Sequence, residues 1–193
     1  MYKRQVYRYI TKPWDPDELK HVVERASETY DLLKQQSEAL HVAEKQSKLM
    51  VTVGQLSTQN MTQEEALNFV ANGFGQILNA DACTFMLSDG QAMGCYGSVE
   101  GSAVGGNKLV SEALASQTTQ SAVNIQTDEA LAADPLYAGT TQCHMVTPIT
   151  YQGQTIAALS VQWHTAYATI GDVTQLLSLL APQLALGLKA SVM

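Results

Sequence analysis

A long stretch with almost no helix breaker constrains this chain more than any other feature. From Pro16 to about Ser57 there is no further proline, and Gly54 is the first glycine. Asp15 can cap a helix that has Pro16 at its first position, and acidic residues follow in the first turn, where the helix dipole favours negative charge. The stretch predicts one continuous helix. At 1.5 Å per residue, that helix is longer than a domain of this size requires.

Apolar residues recur along this predicted helix at alternating steps of four and three residues, which is the pattern of a coiled-coil seam. The frame fails at Glu44 and resumes later, so the pattern predicts a change of register and two alternative packings. One interpretation is an amphipathic helix that covers the chain's own core. We favour the other, a parallel homodimer through this helix, with a seam formed by Leu19, Val23, Ala26, Tyr30, Leu33, Leu40, Leu49, Val53 and Leu56.

Composition excludes several classes of partner. The net charge is −7, and Lys and Arg are concentrated in the first 50 residues, so no long basic stripe is available for nucleic acid. The most apolar stretch, around residues 176–188, is interrupted by polar residues and a proline, which predicts no membrane span. Three widely spaced cysteines fit neither a disulfide framework nor a zinc site. We therefore expect a cytoplasmic protein with no metal, and the sequence indicates no particular cofactor.

The pattern becomes globular after residue 60. Thr62 and Glu65 have the spacing of a capping box, which predicts a helix to about Asn79. Two hairpins are predicted, at 82–96 around Asp89-Gly90 and at 143–164 around Gln152-Gly153. Between them we expect a helix at 107–116, a short strand at 122–125 and a helical segment at 127–137; a closing helix spans 171–189. This order predicts an α+β domain, an antiparallel sheet backed by terminal helices.

This order of elements resembles a GAF domain over about residues 60–193. Three stretches carry the resemblance: residues 81–87 as the first strand, 145–149 as the fourth strand and 180–186 in the closing helix. The resemblance implies that one sheet face packs on the helices and that the other lines a small-molecule pocket. The alternative is a partly solvated face with no ligand. The predicted pocket residues are Thr84, Met86, Thr147, Ser160 and Gln162.

Residues 7–19, from Tyr7 to Leu19, resemble the last strand and last helix of a two-component response-regulator receiver domain. Lys12 matches the lysine that contacts the phosphorylated aspartate in that family, while the acceptor aspartate would lie upstream of the residues present. The expected division is therefore a receiver tail at 1–28, a helical signalling linker at 29–57 and a GAF-type sensor domain at 58–193.

Several ligands known from GAF-type domains fit this sequence poorly. The cyclic-nucleotide signature of that family is replaced here by Gln162-Trp163, Ile170 and Thr174-Gln175. The Cys143-His144 pair resembles a bilin attachment site but runs directly into the fourth strand. His164 is a lone histidine, which gives no specificity for haem.

The predicted function is that of a regulatory domain, not an enzyme. It would relay phosphorylation or small-molecule binding through dimeric helices to an output domain or partner protein. One alternative is a structural dimerisation module with no ligand. The other is a GAF-fold methionine sulfoxide reductase, in which Cys83 and Cys95 would be neighbours on paired strands; no nearby cation is present to lower a thiol pKa.

Overall fold

The computed structural model describes residues 15–97, 106–137, 141–165 and 170–192. Two compact units divide the chain, one ending at Glu44 and the other beginning at Lys45. Lys12 and the receiver-type strand that the resemblance implies ahead of it lie outside the described residues. The receiver-type tail and the boundaries proposed at 28 and 57 remain predictions.

The predicted long helix is confirmed as α1, Pro16–Thr58. Asp15 caps it, since its Oδ1 accepts from the N–H of Asp17 at 3.0 Å. In the first unit, the large apolar side chains of the predicted seam are exposed, from 38% at Leu19 to 71% at Leu40. Among the described residues, neither buried apolar cluster includes these side chains.

The second part of α1 corrects the predicted seam. Leu49, Val53 and Leu56 have 3% or less of their surface exposed and belong to the core of the second unit. A side chain without exposed surface cannot contact a partner helix. Continuing the original steps past Glu44 instead gives Ser47, Val51 and Gly54, which are all exposed. The apparent change of register is therefore a change of helix face, and it supplies no second register for the seam.

The position where the closing helix packs against α1 is occupied by a glycine, Gly187. A Cβ atom at Gly187 would lie 2.9 Å from Leu56 Cδ2 and 3.1 Å from Ser57 Oγ. The two helices thus approach closely at the end of α1, which ties Leu56 into the domain.

The sheet and helices match the predicted α+β fold class, which is confirmed. The helices are α2 Gln63–Ile77, α3 Lys108–Ser116, α4 Glu129–Ala132 and α5 Ile170–Val192. The strands are β1 Ala82–Leu87, β2 Met93–Gly97, β3 Gln120–Ala122, β4 Cys143–Tyr151 and β5 Gln154–Trp163. Their order in the antiparallel sheet is β2-β1-β5-β4-β3. The capping box at Thr62 and Glu65 is present at the start of α2.

Two local predictions were wrong. β3 ends at Ala122, and Ile125 begins a 3-10 turn in place of ending the strand. The acidic segment at 127–137 is not one helix but the four-residue α4 with a 3-10 turn on each side. Asx caps explain this result, because Asn124 and Asp128 each accept from backbone N–H groups and start a new short element.

The sheet separates two apolar cores. One face, the helix-side face, packs on α2, α5 and the end of α1, and includes Phe85, Met145, Leu159 and Trp163. The alternate residues form the second face, where Met86, Val146 and Ala158 pack against α3, α4 and the 3-10 turns. Only the second face combines these apolar residues with a row of buried polar side chains.

By length and apolar composition alone, α5 is the one described helix that could cross a membrane. Half of the relevant stretch, Ile170–Ala190, is buried within the protein. Burial of one side against a sheet is the ordinary pattern of a helix that forms part of a domain core.

Candidate functional site

Four of the five predicted pocket residues share the second face of the sheet. Thr84 pairs with Ser160 and Met86 with Ala158 across β1 and β5, and Gln162 lies two residues beyond Ser160. Thr147 is the exception. It pairs with Leu159 on the helix-side face and accepts from Thr119 at 3.3 Å, so its assignment to the pocket is corrected by the parity of β4.

A chain of buried hydrogen bonds crosses this second face. His144 bonds to Ser160 Oγ through Nε2 at 2.7 Å and to the Tyr137 hydroxyl through Nδ1. Tyr137 lies 3.2 Å from Asn107 Oδ1, and Asn107 donates to Asp134 at 2.8 Å. These bonds join β4 and β5 to the start of α3 and to the turn after α4.

Thr84 lies on the same face but forms no side-chain hydrogen bond with this network. It is 1% exposed, and its Oγ1 is buried with no hydrogen-bond partner. Among the described residues one other side chain has such an atom, Thr155, near the β4–β5 turn. Leaving a buried hydroxyl unpaired costs about 1–3 kcal/mol. A ligand that hydrogen-bonds the Thr84 hydroxyl would recover this free energy.

Burial sets the protonation of the network. It lowers the pKa of His144 to about 3, so the imidazole is neutral at ordinary pH. Burial also raises the pKa of Tyr137, so its hydroxyl keeps its proton at ordinary pH. The two side chains that hydrogen-bond His144, Tyr137 and Ser160, are uncharged, and Asp134 lies at the far end of the network, behind Asn107.

As pH is lowered, the free energy of unfolding of the wild-type protein is expected to decrease more steeply than that of a His144→Gln variant. The folded-state pKa of His144 is below the unfolded value of about 6.5, so the unfolded chain alone binds this proton. The contribution is fully present above pH 6.5 and is lost as pH falls towards the folded-state value, at about 1.4 kcal/mol per pH unit. Urea unfolding at pH 7.5, 6.5 and 5.5 measures it.

The difference between the two slopes is the informative quantity in that experiment, because other groups titrate in both proteins. Wild type should lose about 1 kcal/mol more than the variant between pH 6.5 and 5.5. Equal slopes would mean that His144 becomes protonated in the folded protein, contrary to its burial.

Sequence reasoning missed four members of the network: His144, Tyr137, Asn107 and Asp134. His144 was interpreted as a strand-end residue, although its parity with Val146 on β4 places it on the second face. Asn107 could have been recognised as a helix N-cap, since its Oδ1 accepts from Leu109 N–H at 2.9 Å. The positions of Tyr137 and Asp134 depend on the 3-10 turns, which leave no clear periodic signal.

The cysteines do not form a reactive pair. Cys83 aligns with Tyr96 and Cys95 with Thr84, so the two thiols lie on opposite sheet faces. Burial, with a smaller effect of Cys95, raises the pKa of Cys83 well above its usual value. Cys143 is fully buried on the helix-side face. These surroundings disfavour the thiolate that cysteine chemistry requires.

Other candidate sites lack convergent chemistry. His164 is exposed and lies 3.5 Å from Asp81, a surface pair. No group of three or more His, Cys, Asp or Glu residues with metal-binding proximity occurs in the part of the chain that the structure describes. A groove of about 450 Å³ follows β3 and α3, and a smaller one of about 240 Å³ lies beside Ser88 and Lys189.

Comparison with known proteins agrees with this architecture. The family model described as "GAF domain" matches residues 63–188. No curated protein sequence matches the chain.

Three solved structures illustrate the shared fold. A free methionine-R-sulfoxide reductase from Neisseria meningitidis, solved with its substrate, has 15% identity and a TM-score of 0.62 over 78% of this chain and 91% of its own. The A. aeolicus NLH2 GAF domain in an inactive state has 13% identity and a TM-score of 0.62 over 77% and 98%. The GAF domain of an Acinetobacter phosphoenolpyruvate-protein phosphotransferase has 16% identity and a TM-score of 0.59 over 74% and 91%. At these identities the likeness shows the fold alone.

Proposed function

Because the chain belongs to the GAF domain family, a regulatory and sensory fold, we propose that it senses a small molecule on the second face of its sheet. The observation that supports this proposal is the unpaired hydroxyl of Thr84 beside the hydrogen-bonded row of Ser160 and His144. A buried polar row has a desolvation cost that an apolar face would avoid. A ligand that completes its hydrogen bonds recovers part of that cost.

A Thr84→Val variant is expected to be more stable than wild type without ligand, by about 1 kcal/mol. Valine has nearly the shape of threonine, so the change removes an unpaired hydroxyl and leaves packing intact. Urea unfolding of the ligand-free proteins measures the difference. If the variant is instead destabilised by a similar amount, the hydroxyl has a partner in the folded protein, and the supporting observation fails.

The sensing role itself is tested by thermal unfolding of the 193-residue chain with a panel of metabolites that includes amino acids, nucleosides, cyclic nucleotides and 2-oxo acids. A ligand at 100 times its Kd stabilises by about 2.7 kcal/mol, which raises Tm by roughly 5–10 °C in a chain of this size. Thr84→Val should reduce that shift, and Thr29→Val, on an exposed part of α1, should not. If no compound of the panel raises the Tm of the wild-type chain, the proposal is contradicted.

We further propose that the chain relays its state as a homodimer through the exposed apolar series of α1 at residues 19–40. A row of exposed apolar side chains at heptad spacing is costly in water and typical of a helix with a partner. The resemblance of residues 7–19 to a receiver domain supports a place in a two-component protein, with an output domain or partner protein receiving the signal. An unliganded structural dimer remains the alternative, and the metabolite panel separates the two.

Paired charges in the seam should dissociate the dimer. Leu33→Glu with Leu40→Glu places two carboxylates where apolar side chains would meet, without disturbing residues that are buried in the protomer. Light scattering across a concentration series should give a dimer for wild type and for the control Gln35→Glu, and a monomer for the double variant. A double variant that associates like wild type would contradict this seam.

A catalytic function receives less support, and we propose that the chain is not an enzyme. The solved reductase that shares this fold suggests methionine sulfoxide reduction as the competing activity. Cys83 and Cys143 are buried, and the pKa of Cys83 is raised. We also propose a cytoplasmic location with no nucleic-acid or membrane partner; the acidic net charge supports the absence of a nucleic-acid partner.

A further inference from the structure

Asn107 fixes the direction of the hydrogen bonds on the second face. Its Oδ1 accepts from the backbone N–H of Leu109 at 2.9 Å and of Val110 at 3.4 Å. Its Nδ2 donates to Asp134 Oδ2 at 2.8 Å. The amide therefore has one allowed orientation, because an exchange of its oxygen and nitrogen would break all three bonds. Tyr137, which lies 3.2 Å from Oδ1, must donate its only proton to it.

The remaining protons follow from that assignment. Since the Tyr137 proton points at Asn107, its oxygen accepts from His144, and Nδ1 carries the imidazole proton. The neutral ring then has no proton on Nε2, which must accept from Ser160 Oγ at 2.7 Å. The hydroxyl proton of Ser160 therefore lies in the hydrogen bond to His144. Towards any other group, its oxygen acts as an acceptor only.

Thr84 lies beside that acceptor. The two residues are aligned on β1 and β5 and share the second face, and Thr84 Oγ1 has no partner. A group that enters this position meets an oxygen that accepts and a hydroxyl that is able to donate or accept. A group placed against Ser160 Oγ must therefore donate a hydrogen bond, so a bare carboxylate or phosphate oxygen does not fit there, whereas the Thr84 hydroxyl can pair with either a donor or an acceptor.

The distribution of charged residues also disfavours an anionic ligand. Residues 59–193 contain two cationic side chains, Lys108 and Lys189. Lys108 is exposed beside Glu112 at 3.8 Å, and Lys189 lies over the ring of Tyr151, away from the polar row. The same range contains ten acidic residues: Glu64, Glu65, Asp81, Asp89, Glu100, Glu112, Asp128, Glu129, Asp134 and Asp172. An anion buried here would lack a counter-charge, at a cost of several kcal/mol.

We propose that the ligand of this face is an uncharged molecule that donates an N–H or O–H to Ser160 Oγ, such as a primary amide or a nucleoside. This inference depends on the sensing function proposed above and narrows it. It predicts discrimination against anionic ligands, cyclic nucleotides among them, because an anionic group would be buried on this face without a counter-charge.

Matched pairs that differ in charge test the inference. Isothermal titration calorimetry of the 193-residue chain at constant ionic strength compares nicotinamide with nicotinate, cytidine with cytidine 5′-monophosphate, and acetamide with acetate. In at least one pair the uncharged member should bind ten-fold or more tightly than its anion. Equal or tighter binding by the anion overturns the inference, and so does the absence of binding by all six compounds.

Variants assign any binding to this position. Ser160→Ala should weaken the uncharged ligand at least ten-fold, whereas the control Ser178→Ala, on an exposed part of α5, should not. If Ser160→Ala does not fold, Thr84→Val serves as the second variant, with the same direction expected. An anionic metabolite that binds in the wider panel through Thr84 would overturn this inference and leave the sensing role intact. A panel with no ligand at all would overturn both.

Discussion

A chain that begins at residue 58 is expected to lose its cooperative fold, whereas one that begins at residue 45 keeps it. Leu49, Val53 and Leu56 belong to the core of the domain. Removing a buried leucine side chain alone costs about 2–5 kcal/mol, so the loss of all three is comparable to the whole stability of a typical domain, about 5–15 kcal/mol. Thermal unfolding by circular dichroism measures the effect directly.

Comparison of these two fragments also tests the domain boundary proposed at residue 57. A cooperative transition in the 58–193 fragment, near that of the longer fragment, would show that the end of α1 adds little to the core. The expected result is a broad transition or aggregation for 58–193 and a sharp transition for 45–193. The natural limit of the sensor domain would then lie near Lys45, where the compact unit begins.

Gly94→Ala is expected to destabilise the protein by about 3 kcal/mol or more, at the upper end of overpacking effects. A Cβ atom at Gly94 would lie 2.1 Å from the carbonyl carbon of Leu67 and 2.3 Å from the backbone nitrogen of Asn68. These are backbone atoms of α2, so no side-chain rotation relieves the overlap. Asn68 also accepts from Cys95 N–H at 3.2 Å, which holds β2 against α2.

Gly54→Ala provides the matched control for that variant. No atom lies within 4 Å of a Cβ at Gly54, and the residue is inside α1. Alanine should therefore stabilise by about 1 kcal/mol, the difference in helix propensity. If Gly94→Ala changes the free energy of unfolding by less than 1 kcal/mol, the close approach of β2 and α2 is incorrect.

Elements with local signals were predictable from the sequence. Asp15-Pro16 marked the start of α1, and Thr62 with Glu65 marked the start of α2, because caps act through residues two or three positions apart. The hairpin of β4 and β5 followed from β-rich runs on either side of Gln152-Gly153. Their order was sufficient for the fold class, since few architectures bury such a set of elements.

Long-range features were not predictable in the same way. Leu49, Val53 and Leu56 have the spacing that both a partner helix and the protein's own sheet would favour, and only packing distinguishes the two. Thr147 was misassigned because its polarity suggested a pocket, whereas strand parity determines its face. The hydrogen bond between Tyr137 and Asn107 connects residues 30 positions apart. At that separation, periodic patterns in one sequence do not indicate which residues lie together.

The most direct test of a sensor site on the second face is methyl NMR of Thr84 in the 193-residue chain during addition of the metabolite panel. At least one small molecule should shift the Thr84 methyl signal in a saturable manner, and the signal of Thr29, on an exposed part of α1, should stay in place. If every compound that binds shifts only residues outside this face, such as Thr174 on α5, or if none binds, the central claim is contradicted.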